Sequence, residues 1–246
     1  MPGYDFRSPR LYVEAPLETG ATVTLDPAQA HYLTTVLRLK SGSAVLVFNG
    51  RNGEWNAAID VQRRTVSLHV GANSRAQTAP ADLHYVFAPL KAARLDYMVQ
   101  KAVEMGAARL QPVLTRHSQV GRINTARMRA NAIEAAEQCG ILSVPDVSEP
   151  TALMRFLEAR DPARWIIFCD EDAKVANPIP ALSEVPPGSP LAVLIGPEGG
   201  FAEDERKSLL GLPKVQRICL GPRILRADTA AVAALTIVQA VAGDWR

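Results

Sequence analysis

The last two thirds of the chain alternate short apolar runs with helical periodicity. The stretches 165–169 and 191–195 are apolar at every position, which predicts strands buried on both faces, as in a parallel sheet. Strands are also expected at 82–89 and 109–114. Between them Leu95, Met98, Val99, Ala102 and Val103 recur at i, i+3, i+4, i+7 and i+8, an amphipathic helix closed by Gly106. Further helices are expected at 126–140, around Leu153, Phe156 and Leu157, at 201–211 with three acids in its first turn, and at 230–242. The last is apolar nearly all round, so it belongs in a core or against a second subunit. Residues 177–190 hold five prolines and read as a stiff surface connector.

The first seventy residues follow a different rhythm. An extended arm at 7–13 precedes a strand at 21–25, and Asp26-Pro27 caps a helix running through Leu33 to Leu37. Strands at 44–48 and 54–61 flank the turn Asn49-Gly-Arg-Asn-Gly as a hairpin, and 65–70 adds another. Several short strands in so few residues predict a small barrel. The polar stretch 71–81 reads as a linker. The expected domains are therefore 1–74 and 80–246.

Composition narrows the class. Of 246 residues, 48% are hydrophobic and 21% charged, which is ordinary for a globular protein. No run approaches a membrane span and no signal-peptide pattern opens the chain, so no membrane partner and a cytoplasmic location are expected. Cys139, Cys169 and Cys219 are expected as buried free thiols, and the four histidines show no ligand spacing, so no metal is expected. Charge is uneven: residues 91–130 carry eight basic and two acidic side chains, whereas 131–246 carry 11 and 16. An anionic partner would use the basic stretch.

Two strand ends carry the most specific pattern. Leu-Ile-Gly-Pro-Glu-Gly-Gly-Phe runs from Leu194 to Phe201, and Leu-Gly-Pro-Arg-Ile-Leu-Arg-Ala-Asp-Thr-Ala from Leu220 to Ala230. Glycine-rich turns after buried strands let the main chain approach a ligand at the strand ends of an open α/β sheet. The pair resembles the RsmE family of the SPOUT methyltransferases, which methylates N3 of a uridine, uracil-1498, in 16S ribosomal RNA. Lys91-x-x-Arg94, Glu134-Ala-Ala-Glu-Gln-Cys-Gly and Val36-Leu-Arg-Leu-Lys are similar to the family's patterns too. The chain departs from them at His117, where the family has Arg, at Ile141, also Arg there, and at Asp228, where it has Glu.

The resemblance implies a fold that neither composition nor periodicity shows: a SPOUT α/β domain with a C-terminal trefoil knot, preceded by a PUA-like β-barrel. It implies S-adenosylmethionine as cofactor, held by Leu194, Gly196, Glu198, Gly199, Gly200, Cys219, Leu220, Gly221, Ile224 and Leu225. Arg226, Asp228 and Glu198 become the catalytic candidates, the carboxylates for removing the N3 proton and Arg226 for orienting the uridine. Arg7, Arg10, Arg38, Lys40, Lys91, Arg94 and Arg223 become RNA contacts, with 16S rRNA or the small subunit as partner and a homodimer as the assembly. Alternatives are a SPOUT enzyme acting on transfer RNA or a ribose 2′-hydroxyl, and a non-catalytic RNA-binding assembly factor. A dinucleotide dehydrogenase is disfavoured, since no Gly-x-Gly-x-x-Gly follows the first strand.

Overall fold

The computed structural model describes residues 7–63, 65–119, 122–173 and 177–245. They pack as two units, one holding the chain up to Ala79 together with Ala136–Val144, the other Pro80–Ala135 and the chain from Pro145 onward.

The first unit is built on β1 (Arg10–Tyr12), β2 (Thr22–Thr24), β3 (Ala44–Phe48), β4 (Glu54–Val61) and β5 (Val66–Arg75), in the order β1-β3-β4-β5-β2. Four of the five form antiparallel pairs, and β1 lies parallel to β3. The sheet is curled and barrel-like. The expected arm thus contains a three-residue strand: β1 uses the free edge of β3, and Leu11 and Val13 join the core with Val47, Ile59 and Leu68. Strand β5 also runs five residues into the expected linker. Helix α1 (Pro27–His31) starts with a capping box in which Asp26 and Gln29 exchange hydrogen bonds of 2.9 and 3.3 Å. It passes into a wider π turn over Tyr32–Val36, which ends with Arg38 at φ +56° while the Leu39 N–H bonds to the Leu33 carbonyl. That left-handed cap is usually glycine, because a Cβ there costs roughly 1–2 kcal/mol.

A buried carboxylate ties this unit together. Glu54 accepts from Arg10 Nε at 2.9 Å and from Arg75 Nη2 at 2.7 Å. Burial alone would raise its pKa, but the hydrogen bonds and charges of Arg75 and Arg10 outweigh that and lower it. Arg75 also donates to the Gly140 carbonyl, and Glu137 accepts the Tyr12 N–H, which explains why 136–144 pack here.

The second unit contains β6 (Leu83–Phe87), α2 (Ala92–Glu104), β7 (Arg109–Leu114), α3 (Thr125–Cys139, its end counted with the first unit), β8 (Asp146–Val147), β9 (Thr151–Ala152), α4 (Leu153–Ala159), β10 (Trp165–Cys169), α5 (Pro178–Ser183), β11 (Leu191–Ile195), α6 (Glu203–Leu210), β12 (Val215–Ile218) and α7 (Ala227–Val241). Its sheet runs β12-β10-β11-β6-β7-β8, with β9 also on β7, and every pair is parallel. The chain leaves β6 toward β7, then crosses to β10 and returns β11 into the gap beside β6. Strand order reverses there, and ligands bind at such points.

Three expectations change. The proline-rich connector contains α5, because Asn177 Oδ1 caps it by accepting the Ile179 N–H at 3.0 Å. Helix α7 begins three residues early with Arg226 at its N-cap, so Asp228 lies in its first turn. Cys139 is exposed, since it ends α3 rather than facing a core, and Cys169 and Cys219 are only partly buried. Within α7 the buried Gln239 donates to the Met105 carbonyl at 2.7 Å, and a Cβ on Gly106 would lie 2.7 Å from that amide.

Candidate active site

The C-terminal ends of β10, β11 and β12 open on a cavity of about 640 Å³, within the usual size of a small-molecule site. Gly196–Gly200 forms one wall and Cys219–Arg226 another. A Cβ on Gly196 would stand 2.4 Å from the Phe201 ring, which packs edge-on against Phe168 with centroids 5.2 Å apart. Gly221, at φ +106°, has nothing within 4 Å of such an atom. Its bareness therefore serves the open space and the backbone, not packing.

Of the expected cofactor residues, Gly196, Glu198, Gly199, Gly200, Cys219, Leu220, Gly221, Ile224 and Leu225 line this cavity, as do Arg223 and Arg226. Leu194 does not: it is fully buried among Val86, Phe168 and Ala192, as a strand covered on both faces requires. Ile224 lines the cavity while remaining 90% exposed.

The sequence reads Asp170-Glu171-Asp172, after β10, as carboxylates in a solvated loop, which holds for Glu171 and Asp172, both exposed, and fails for Asp170. Asp170 is 7% exposed and accepts from Arg217 Nε at 2.6 Å and Arg206 Nη2 at 3.0 Å. Asp170, Glu171 and Arg206 line the cavity, and Glu171 Oε1 would lie 3.3 Å from a Cβ on Gly200. Their signal was positional, since they follow a buried strand as the glycine turns do. Burial, with Asp170 and Cys219 nearby, pushes the Cys169 thiol well up, so it stays protonated.

Arg94 joins the carboxylate candidates. Its Nη1 hydrogen-bonds Glu198 Oε1, and its Nε is 4.0 Å from Asp228 Oδ2. Glu198 lines the cavity; Asp228, 19% exposed at its side chain, does not. Arg226 is exposed at the cavity wall.

The expected RNA contacts divide. Arg7, Arg38, Lys40, Lys91 and Arg223 are exposed. Arg10 is turned inward, 7% exposed and paired with Glu54. Among the described residues no cluster of three or more His, Cys, Asp or Glu could hold a metal ion, and no helix is long and apolar enough to cross a membrane.

A parallel sheet with a bare-backbone cavity at the ends of β10, β11 and β12, beside an arginine and two carboxylates, has the build of a small-molecule-binding enzyme of the α/β class. Residues 77–239 match the family described as RNA methyltransferase domain, and 25–70 the one described as RNA methyltransferase PUA domain. The chain belongs to the RNA methyltransferase family, in its RsmE branch of the SPOUT fold. It is 29% identical over 232 residues to ribosomal RNA small subunit methyltransferase E of Rickettsia conorii, covering 94% of each chain. To the Synechocystis protein of the same name it is 31% identical over 227 residues, covering 90% of this chain and 74% of that one. The solved ribosomal RNA small subunit methyltransferase E of Neisseria gonorrhoeae, bound to S-adenosyl methionine, superposes with a TM-score of 0.86 at 25% identity, covering 98% of this chain and all of that one. A methyltransferase of Legionella pneumophila in complex with the same cofactor gives 0.82 at 29% identity, covering 95% and 98%.

Proposed function

We propose that the protein transfers the methyl group of S-adenosylmethionine to N3 of a uridine in the 16S rRNA of the small ribosomal subunit, as a cytoplasmic homodimer. The observation that carries this reading is the cavity built from two glycine turns at the ends of β11 and β12. Its residues fit the cofactor: Gly196, Gly199, Gly200 and Gly221 leave main chain bare, and Leu220, Ile224 and Leu225 supply apolar contact.

Bound there, the cofactor supplies an electrophilic sulfonium methyl. The chain's task is to align the acceptor, since positioning supplies roughly 7–11 kcal/mol whereas a general base adds roughly 10²–10⁴-fold. In this reading Glu198, which lines the cavity, takes the N3 proton, and Asp228, 4.0 Å from Arg94 Nε, is the second carboxylate. Arg226 orients the uridine or its phosphate from the cavity wall. Arg7, Arg38, Lys40, Lys91 and Arg223 hold RNA phosphates; each lost contact lowers the salt slope of binding by roughly 0.7–0.9. Helix α7 and the protruding Ile224 supply the dimer face, so light scattering should give twice 26.6 kDa.

The test is incubation with methyl-labelled S-adenosylmethionine and small subunits lacking the modification, followed by mass spectrometry of digested RNA. Labelled 3-methyluridine is expected. Label in transfer RNA or on a ribose would move the substrate, and cofactor binding without any label would favour a non-catalytic RNA-binding factor.

A further inference from the structure

The turn after β7 closes on itself and then grips the glycine loop. Within it the Ser118 N–H donates to the Thr115 carbonyl at 3.1 Å, the Thr115 N–H donates to Ser118 Oγ at 2.9 Å, and the two hydroxyl oxygens are 3.0 Å apart. Such a doubly closed turn is rigid enough to serve as an anchor. Its two middle residues both reach the segment that follows β11. The Arg116 N–H donates to Glu205 Oε1 at 2.8 Å, while Glu205 Oε2 accepts the Ala202 N–H at 3.0 Å. Glu205 is 7% exposed, so one buried carboxylate both caps α6 and holds the turn.

His117 makes the contact nearest the cavity. Its Nδ1 lies 3.2 Å from the Gly199 carbonyl oxygen and 3.1 Å from that of Gly200. Neither oxygen can donate, so Nδ1 carries the proton and donates to both. A Cβ on Gly199 would sit 3.4 Å from His117 Cβ, which places the imidazole directly against the loop. Two consecutive glycines have the widest conformational freedom a chain offers, and Gly200 is at φ +69°. Beside the local Gly200 N–H bond to the Pro197 carbonyl, at 2.9 Å, the His117 donor ties this peptide pair to the turn after β7.

We propose that His117 is a positioning residue of the cofactor site, its Nδ1–H holding the Gly199–Gly200 main chain in the shape that binds S-adenosylmethionine. The assignment rests on reading the cavity as the cofactor site. It gives a task to a residue at which the chain departs from the family pattern, and the task demands only a donor at one position.

That demand makes the test sharp. An asparagine places its amide nitrogen close to where Nδ1 stands, whereas a glutamine carries its amide one carbon farther out. S-adenosylmethionine binding is measured by calorimetry for the full-length protein and for H117A, H117N and H117Q, alongside kcat and KM on small subunits and the Tm of each. His117→Ala is expected to raise Kd and KM for the cofactor about fivefold, the weight of one neutral hydrogen bond, with kcat within about twofold and an unchanged Tm. His117→Asn should restore wild-type affinity and His117→Gln should behave as the alanine variant. Wild-type affinity in His117→Ala, or equal behaviour of the two amides, would overturn the assignment. Absence of cofactor binding by the wild type would instead remove the cavity reading beneath it.

Discussion

Nη1 of Arg94 donates to Oε1 of Glu198, joining the first turn of α2 to the glycine loop after β11 across 104 positions of sequence. The pair is partly exposed, 39% and 43% at the side chains, so its contribution to stability is small. Its consequence is placement of the proposed base. Arg94→Ala is expected to lower kcat/KM roughly 10²-fold, the scale of a misaligned reacting group. Cofactor Kd should stay within about threefold and Tm nearly constant. Steady-state kinetics beside calorimetry check this, and an equal loss in Kd would show that Arg94 serves the cofactor instead.

The two glycine walls should fail differently. Gly196→Ala drives a methyl group to 2.4 Å from a Phe201 ring packed on Phe168, and overpacking of this kind costs roughly 1–3 kcal/mol. Both Tm and cofactor affinity should fall. Gly221→Ala meets no atom within 4 Å, so only its backbone conformation is penalised, by roughly 1–2 kcal/mol. Thermal melts with and without cofactor separate the two; a Gly196→Ala variant melting like the wild type would show that the ring yields freely.

His84 makes stability depend on pH. Burial, then the charges of Arg164 and Arg109, lower its pKa from 6.5 to about 4. Between those values the unfolded chain binds a proton that the folded chain does not, so stability rises with pH there. The contribution is fully present above 6.5 and is lost as pH falls toward about 4, at most roughly 3 kcal/mol. Asp82, whose pKa is lowered by its hydrogen bond to Arg164, adds to the loss at still lower pH. Denaturant melts at pH 7.5 and 5.0 should show the drop in the wild type and a smaller one in His84→Gln.

Removing Arg10 should unfold the first unit more readily than its position near the chain start suggests. Arg10→Ala leaves Glu54 buried, 3% exposed at its side chain, with one guanidinium fewer; breaking such a pair costs roughly 3–5 kcal/mol. Limited proteolysis should then cut within 7–79 first. Cofactor binding by the second unit should persist, and its loss would contradict the assignment of the cavity to that unit alone.

Arg38 is held at φ +56° at an exposed position, and strained residues of this kind cluster at binding sites. Arg38→Gly should therefore raise Tm, by up to about 1 kcal/mol of stability, and weaken RNA binding. Filter binding across salt concentrations reads the second effect; unchanged affinity would leave the strain without a purpose.

Local pattern made most elements legible. Runs such as 165–169 and 191–195 could only be buried strands, and the periodicity of Leu95 to Val103 could only be a helix face. Where reading failed, a partner distant in sequence decided. Residues 10–12 are a strand because β3 offers an edge, and Asp170 is buried because Arg206 and Arg217, on α6 and β12, neutralise it. Arg10 is an interior residue because Glu54 lies 44 positions away. None of these follows from composition.

The sequence by itself determined the parallel-sheet class, the two glycine turns and the chemistry they suit, since backbone freedom and strand burial are properties of consecutive residues. Only the tertiary structure decided that Leu194 supplies core while Gly196 to Gly200 supply the wall, that Arg94 sits on Glu198, and that His117 holds the loop. Those facts depend on which strand ends lie side by side, and the strand order β10-β11-β6 is not the order of the chain. Burial and hydrogen bonding act across space, so residues separated by about a hundred positions reveal their relation only once the sheet is assembled.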